Sequence, residues 1–206
     1  MADRKDVIQW ASDNIAEIVD LPFFSINPKE DLHTLKQICK TIDELNKKTG
    51  LGMLRKLGTG TKEFKYRDEI EDLTENACYI NFSDQKNGIA EDSFYIGVNV
   101  LKYLRTKYKE EALNKVQNIK DYHSWFLSNN MEDLIVHEYG HRIQNHLPTY
   151  SVNNIKSLYN KYGYKLTKRA SDDYKEFFAE LFSLDYHGVA LDRELVEFLN
   201  KIKVKR

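Results

Sequence analysis

Apolar residues return every three or four positions along residues 4 to 20, at Val7, Ile8, Ala11, Ile15, Ile18 and Val19, which predicts a first helix. Leu21-Pro22 stops it. Asn27-Pro28 restarts the pattern, since asparagine can cap and proline suits the first helical position. Leu32, Leu35, Ile38, Ile42 and Leu45 then form a stripe ending near Gly50. Residues 50 to 60 are rich in glycine, with Leu54 and Leu57 expected to anchor a loop or short turn. Residues 77 to 82 and 93 to 99 concentrate Tyr, Ile, Phe and Val around the turn-forming run Ser83-Asp84-Gln85-Lys86-Asn87-Gly88, and predict two strands of a hairpin. Asn99 can cap a helix through about Asn118. The remainder predicts four helices, about 131 to 146, 152 to 162, 172 to 187 and 191 to 203. Asn130, Ser151 and Ser171 are their expected N-caps, and Gly163 and Gly188 the expected stops. The pattern describes an α+β chain, mostly helical with a small sheet, and contains no internal repeat or low-complexity linker.

The helix expected from Met131 carries the run His137-Glu138-Tyr139-Gly140-His141, with Glu132 and Asp133 in its first turn, where negative charge is favoured. Four residues rotate only about 40° past a full helical turn, so His137 and His141 share one face and their imidazoles can meet at a single metal ion. Glu138 lies about 100° further round, suited to leaning toward a water on such a metal as general base. Zinc lowers the pKa of a bound water toward 7, the chemistry this trio of residue types serves. Gly140 breaks helix propensity by about 1 kcal/mol relative to alanine, which fits a helix face that something approaches closely. The motif is short enough to arise by coincidence. Its apolar flanks Leu134-Ile135-Val136 and Ile143 argue for a buried helix, where two histidines and a glutamate need compensation. Core histidines satisfied by backbone carbonyls are the alternative reading.

A catalytic zinc site needs a third protein ligand. His146 lies five residues past His141 and Gln144 stands where the HExxHxxGxxH pattern requires glycine, so that pattern is disfavoured. The helix around Glu176-Phe177-Phe178-Ala179-Glu180 offers two carboxylates four apart among aromatic and aliphatic neighbours, a placement that calls for a neutralising partner. Glu176 is assigned as the ligand, with Glu180 accepting the other ring proton of a histidine. The reversed assignment and a partly exposed acidic stripe are the alternatives.

With these residues the chain resembles the gluzincin metallopeptidases, in which HExxH is completed by a glutamate on a later helix. The EFFAE segment, Glu176 to Glu180, is similar to that of the anthrax lethal factor protease domain and of metallopeptidase domains from phages and mobile elements. The likeness covers roughly residues 77 to 187 and is specific at HEYGH and EFFAE. It implies a zincin-like domain with two zinc-binding helices and one zinc ion per chain on His137, His141 and Glu176. It also implies base catalysis by Glu138, and a sheet whose edge strand, near Phe94 to Asn99, aligns an extended peptide. Members usually carry an oxyanion-stabilising tyrosine about seven residues before the glutamate ligand, and here that place holds Arg169. An arginine can meet a developing negative charge. Tyr162, Tyr164, Tyr174 and His187 are the other candidate donors, and His123 is a candidate cleft residue.

Composition narrows the class further. At 206 residues the chain suits a single domain, with residues 1 to 60 a helical N-terminal subregion and 77 to 187 the catalytic core. Its 31 basic and 32 acidic side chains nearly cancel, so no global field favours nucleic acid or an anionic membrane. The basic tail from Lys201 to Arg206 reads as a solvated helix end. Cys39 and Cys78 form no CxxC pair and read as free thiols. Without an apolar run suited to a signal peptide or a membrane span, a cytoplasmic location is expected, and delivery by a partner stays compatible with it. The expected function is a zinc endopeptidase acting on a peptide or protein substrate. A non-catalytic, zinc-stapled binding protein of phage or mobile-element origin is the alternative, and hydrolysis of another amide or an ester a third reading.

Overall fold

The computed structural model describes residues 3–19, 28–58, 78–80, 92–95 and 131–203. The helix expected over 99 to 118, His123 and the caps Asn27 and Asn130 lie outside them. The chain divides into two compact units, Met1–Glu110 and Glu111–Arg206. Its described elements are mostly helical with one small sheet, an α+β composition.

In the first unit, α1 (Arg4–Asn14) starts at a capping box: the Asp6 amide donates to the Asp3 carboxylate and the Asp3 amide to the Asp6 carboxylate. The helix ends six residues earlier than its apolar spacing predicts. Beyond Ile15 the β-branched residues pair as a strand, β1 (Glu17–Val19). Ile15 and Ile18 thus continue a helical spacing in sequence while serving two different elements. α2 (Pro28–Thr49) matches its predicted span, and Leu35, Ile38, Cys39, Ile42 and Leu45 on its stripe are buried. Gly50, at φ 63°, turns the chain out of it. Cys39 is a free thiol, and burial pushes its pKa up to about 12.

The expected loop over residues 50 to 60 contains a strand, β2 (Lys56–Gly58). With β3 (Cys78–Ile80) and β4 (Ser93–Tyr95) it completes a four-stranded sheet ordered β1-β2-β4-β3. β1 and β2 run parallel, as do β2 and β4, while β3 and β4 form the expected antiparallel pair. One row across the sheet joins Ile18, Leu57, Phe94 and Tyr79, with Leu57 and Phe94 fully buried. Over Ser93–Tyr95, therefore, β4 is interior. Both of its hydrogen-bonding edges are taken, which corrects the expectation of an edge strand there, and the cause is the unforeseen β2.

The second unit is helical: α3 (Met131–Asn145), α4 (Thr149–Leu166), a 3-10 turn (Arg169–Ser171), α5 (Tyr174–Tyr186) and α6 (Arg193–Lys203). α4 begins before Ser151, which is buried inside it, and runs through Gly163, the expected stop. A Cβ at Gly163 would meet the Tyr159 ring at 2.7 Å and the Ala170 carbonyl oxygen at 3.3 Å, so this glycine makes room inside a helix. α5 is capped by Asp173 and not by Ser171, since the Asp173 carboxylate accepts from the Lys175 and Glu176 amides at 2.6 and 2.9 Å. Gly188 stops α5 as expected, at φ 70°. The core of this unit gathers Ile155, Leu158 and Tyr162 from α4, Ala170 from the turn, Phe177, Phe178 and Leu181 from α5, and Leu195, Phe198 and Leu199 from α6. Phe178 and Phe198 meet edge to face at 6.4 Å. Among the described residues, no helix is long and apolar enough to cross a membrane.

Candidate metal centre

α3 and α5 cross at two small residues. A Cβ on Gly140 would lie 2.7 Å from the Ala179 Cα and 3.2 Å from its carbonyl oxygen, so glycine permits a backbone approach that no other residue allows. This explains the propensity lost inside the motif helix. His137 and His141 flank Gly140, and Glu176 and Glu180 flank Ala179, so the contact that joins the helices also brings four polar side chains together.

Three of them converge. His137 Nε2 lies 3.1 Å from Glu176 Oε2, and His141 Nε2 lies 3.3 Å from Glu176 Oε1. The two imidazoles meet at near right angles with centroids 5.0 Å apart. One donor atom from each of His137, His141 and Glu176 falls within 4.8 Å of the others, a group that can hold a metal ion. Glu176 Oε2 lies within ion-pair reach of His137 Nε2, but this buried nitrogen has no hydrogen bond of acceptable geometry, which a cation between the donors would satisfy.

The other ring nitrogen is well provided for. His137 Nδ1 and Glu180 Oε1 are 2.7 Å apart, and Glu180 Oε2 accepts from the Thr167 hydroxyl at 2.8 Å. His137 and Glu180 are both almost fully buried. Burial works to lower the pKa of His137, but the Glu176 and Glu180 carboxylates, with Glu138 at longer range, outweigh it and raise the value to about 9. For Glu176, burial works upward. His137, His141 and Arg169 together hold its carboxyl well below the usual carboxylate range.

Arg169 reaches this centre from the 3-10 turn, donating from Nε to Glu176 Oε2 at 2.6 Å. Burial opposes its charge, but Glu176 raises its pKa above the ordinary value, with Glu138 and Glu180 adding to the effect. Glu138 is buried and acts electrostatically on both His137 and Arg169. The residues singled out in sequence thus occupy one region: His137, His141 and Glu176 as donors, Glu180 behind His137, Arg169 on Glu176, and Glu138 close by.

The other candidates are placed elsewhere. The Tyr162 hydroxyl donates to Glu194 Oε2, Tyr164 is largely exposed, and Tyr174 packs beside the core under Lys156. His187 is the C-cap of α5 with its ring edge-on to Tyr186, and His146 is exposed just past α3. Sequence reasoning did not find Thr167. A single threonine between Leu166 and Lys168 carries no pattern, and only the fold shows its hydroxyl on Glu180. Comparison with protein-family models, with curated proteins and with solved structures found no match.

Proposed function

We propose that this protein is a zinc-dependent endopeptidase of gluzincin type, whose α3 and α5 are the two zinc-binding helices of a zincin-like domain. The observation that carries the reading is the convergence of His137, His141 and Glu176 beside a buried, unpartnered His137 Nε2. The donor set, two imidazoles and one carboxylate, is one that zinc accepts at catalytic sites while keeping a further position open. One donor atom from each of the three residues lies within 4.8 Å of the others, close enough for a single ion to be shared among them.

When bound, zinc supplies a Lewis acid that polarises a carbonyl and makes water nucleophilic near neutral pH. The chain's own residues divide the rest of the work. His137, held at Nδ1 by Glu180, presents Nε2 toward the common point. His141 presents Nε2 from one turn further on, and Glu176 supplies the negative charge. Glu138 takes the proton of the attacking water and returns it to the leaving amine, the task of a general base that becomes a general acid. Arg169, bonded to Glu176, steadies that carboxylate and adds fixed positive charge beside the site, available to a developing oxyanion.

Metal analysis of the purified protein beside His141→Ala, followed by peptide cleavage with wild type and Glu138→Gln, tests the reading. Expected are one zinc per chain, its loss in His141→Ala, and cleavage that Glu138→Gln abolishes while zinc remains. A wild type without stoichiometric zinc overturns the metal centre. Zinc retained with no cleavage dependent on Glu138 overturns the peptidase and leaves a zinc-stapled binding protein.

A further inference from the structure

The connection between α4 and α5 places one side chain on each carboxylate of the centre, Arg169 on Glu176 and Thr167 on Glu180. Thr167 ends α4 in an extended conformation. The 3-10 turn that follows is anchored by Ala170, fully buried in the core with Phe177 and Phe178. Position in the core therefore dictates where the Thr167 hydroxyl lies.

The order of donors and acceptors along this chain of bonds is fixed. A hydroxyl has one proton and two lone pairs, and a carboxylate only accepts. The Ala170 amide donates to Thr167 Oγ1 at 3.0 Å, leaving the hydroxyl proton for Glu180 Oε2 at 2.8 Å. Glu180 Oε1 must then accept from His137 Nδ1 at 2.7 Å. Nδ1 is therefore a donor whether the ring is neutral or charged, and Nε2 is the nitrogen turned toward His141 and Glu176. Among the described residues, Glu180 has His137 and Thr167 as its hydrogen-bond partners. Without the hydroxyl one buried carboxylate oxygen loses its donor, and the side chain is no longer fixed in rotation.

We propose that Thr167 is a positioning residue for His137: through Glu180 it holds the Nδ1–H group and so aims Nε2 at the metal point. This deepens the metal-centre reading and rests on it. Partners of this kind, one bond removed from a metal-binding imidazole, change metal affinity by about 10–100-fold when lost.

The test uses the full chain as wild type, Thr167→Val, which keeps the shape and removes the hydroxyl, and Thr167→Ser, which restores the hydroxyl without the methyl. Zinc affinity is read by competition with a chromogenic chelator, and proton–nitrogen correlation spectra of the histidine rings are recorded on the zinc-free protein. The valine variant is expected to bind zinc at least about tenfold more weakly and the serine variant within about threefold of wild type. Spectra of wild type and Thr167→Ser should show a protonated, slowly exchanging His137 Nδ1, with faster exchange in Thr167→Val. Equal affinity in wild type and valine variant, or equal loss in valine and serine variants, overturns the proposal.

Should wild type bind no zinc, the metal reading fails, and the ring spectra alone decide this inference. An Nδ1 without a proton in wild type, or exchange unchanged across the three proteins, rejects it. If Thr167→Val does not fold, wild type and Thr167→Ser still decide by the protonation of Nδ1 in each.

Discussion

Arg169 Nε sits 2.6 Å from the Glu176 oxygen that also approaches His137, so the arginine expected to face a substrate is tied to the carboxylate expected to face a metal. The two roles separate experimentally. If Arg169 chiefly steadies Glu176, Arg169→Gln weakens zinc binding by about tenfold. If it acts only on the developing oxyanion, zinc binding is unchanged and kcat falls with KM constant. The bond favours the first outcome. Competition titration with a zinc chelator, run beside single-turnover cleavage, distinguishes them.

The Gly140–Ala179 crossing admits no extra atom. Gly140→Ala gains about 1 kcal/mol of helix propensity but forces a Cβ to within 2.7 Å of backbone. Overpacking of this kind costs about 1–3 kcal/mol, so the net effect is a lower melting temperature. Because the helices separate at the centre itself, zinc stoichiometry falls as well. Ala179→Gly on top of Gly140→Ala does not restore either property, since the closest atom is the Ala179 Cα and not its side chain. Thermal melting and metal analysis of the single and double variants check this.

Asp173 connects helix stability to the centre, accepting from the amide of Glu176 itself. Asp173→Ala removes the cap of α5, at about 1 kcal/mol, and loosens the turn that carries the carboxylate. A melting temperature lower by a few degrees is expected. Zinc binding should weaken less than in Glu176→Ala, which removes the donor. Equal losses in the two variants would contradict a capping role.

Cys39 gives a pH prediction from the first unit. A thiol whose folded pKa lies above its unfolded value holds its proton more tightly in the folded chain. Its contribution to stability is therefore complete below about pH 9 and is lost as pH rises toward about 12. In a Cys78→Ser background, native Cys39 should resist iodoacetamide at pH 8.5 and react once urea unfolds the chain. Urea midpoints measured from pH 8 to pH 11 should fall with rising pH, and less so in Cys39→Ala. Rapid native labelling would contradict the burial.

Much of the second unit was legible because each helix carries a local signal. HEYGH has two histidines at a spacing that only a helix turns into neighbours, and EFFAE has two carboxylates that an apolar segment does not keep without cause. The errors have physical reasons too. Ile18 and Val19 satisfy a helical period and a strand preference alike, and pairing with Leu57 and Gly58 decided between them. Leu57 is one apolar residue in a three-residue strand, too short for alternation to register. Gly163 resembles a helix stop until the Tyr159 ring is seen beside it. Asp173 and Ser171 are both good caps by type, and only the amides they reach separate them. Thr167 depends on a bond to a residue thirteen positions away, which no local pattern encodes.

α5 serves two sides at once. Phe177 and Phe178 enter the core, while Glu176 and Glu180 turn toward α3 on either side of Ala179. Each residue adds about 100° of rotation and 1.5 Å of rise. One residue inserted into Glu176-Phe177-Phe178-Ala179-Glu180 would swing one carboxylate out of reach while the other stayed. The four-residue spacing of Glu176 and Glu180 is therefore as much a part of the site as the carboxylates themselves: Phe177 or Phe178 can change to another core residue and leave both in reach, but an insertion between them cannot.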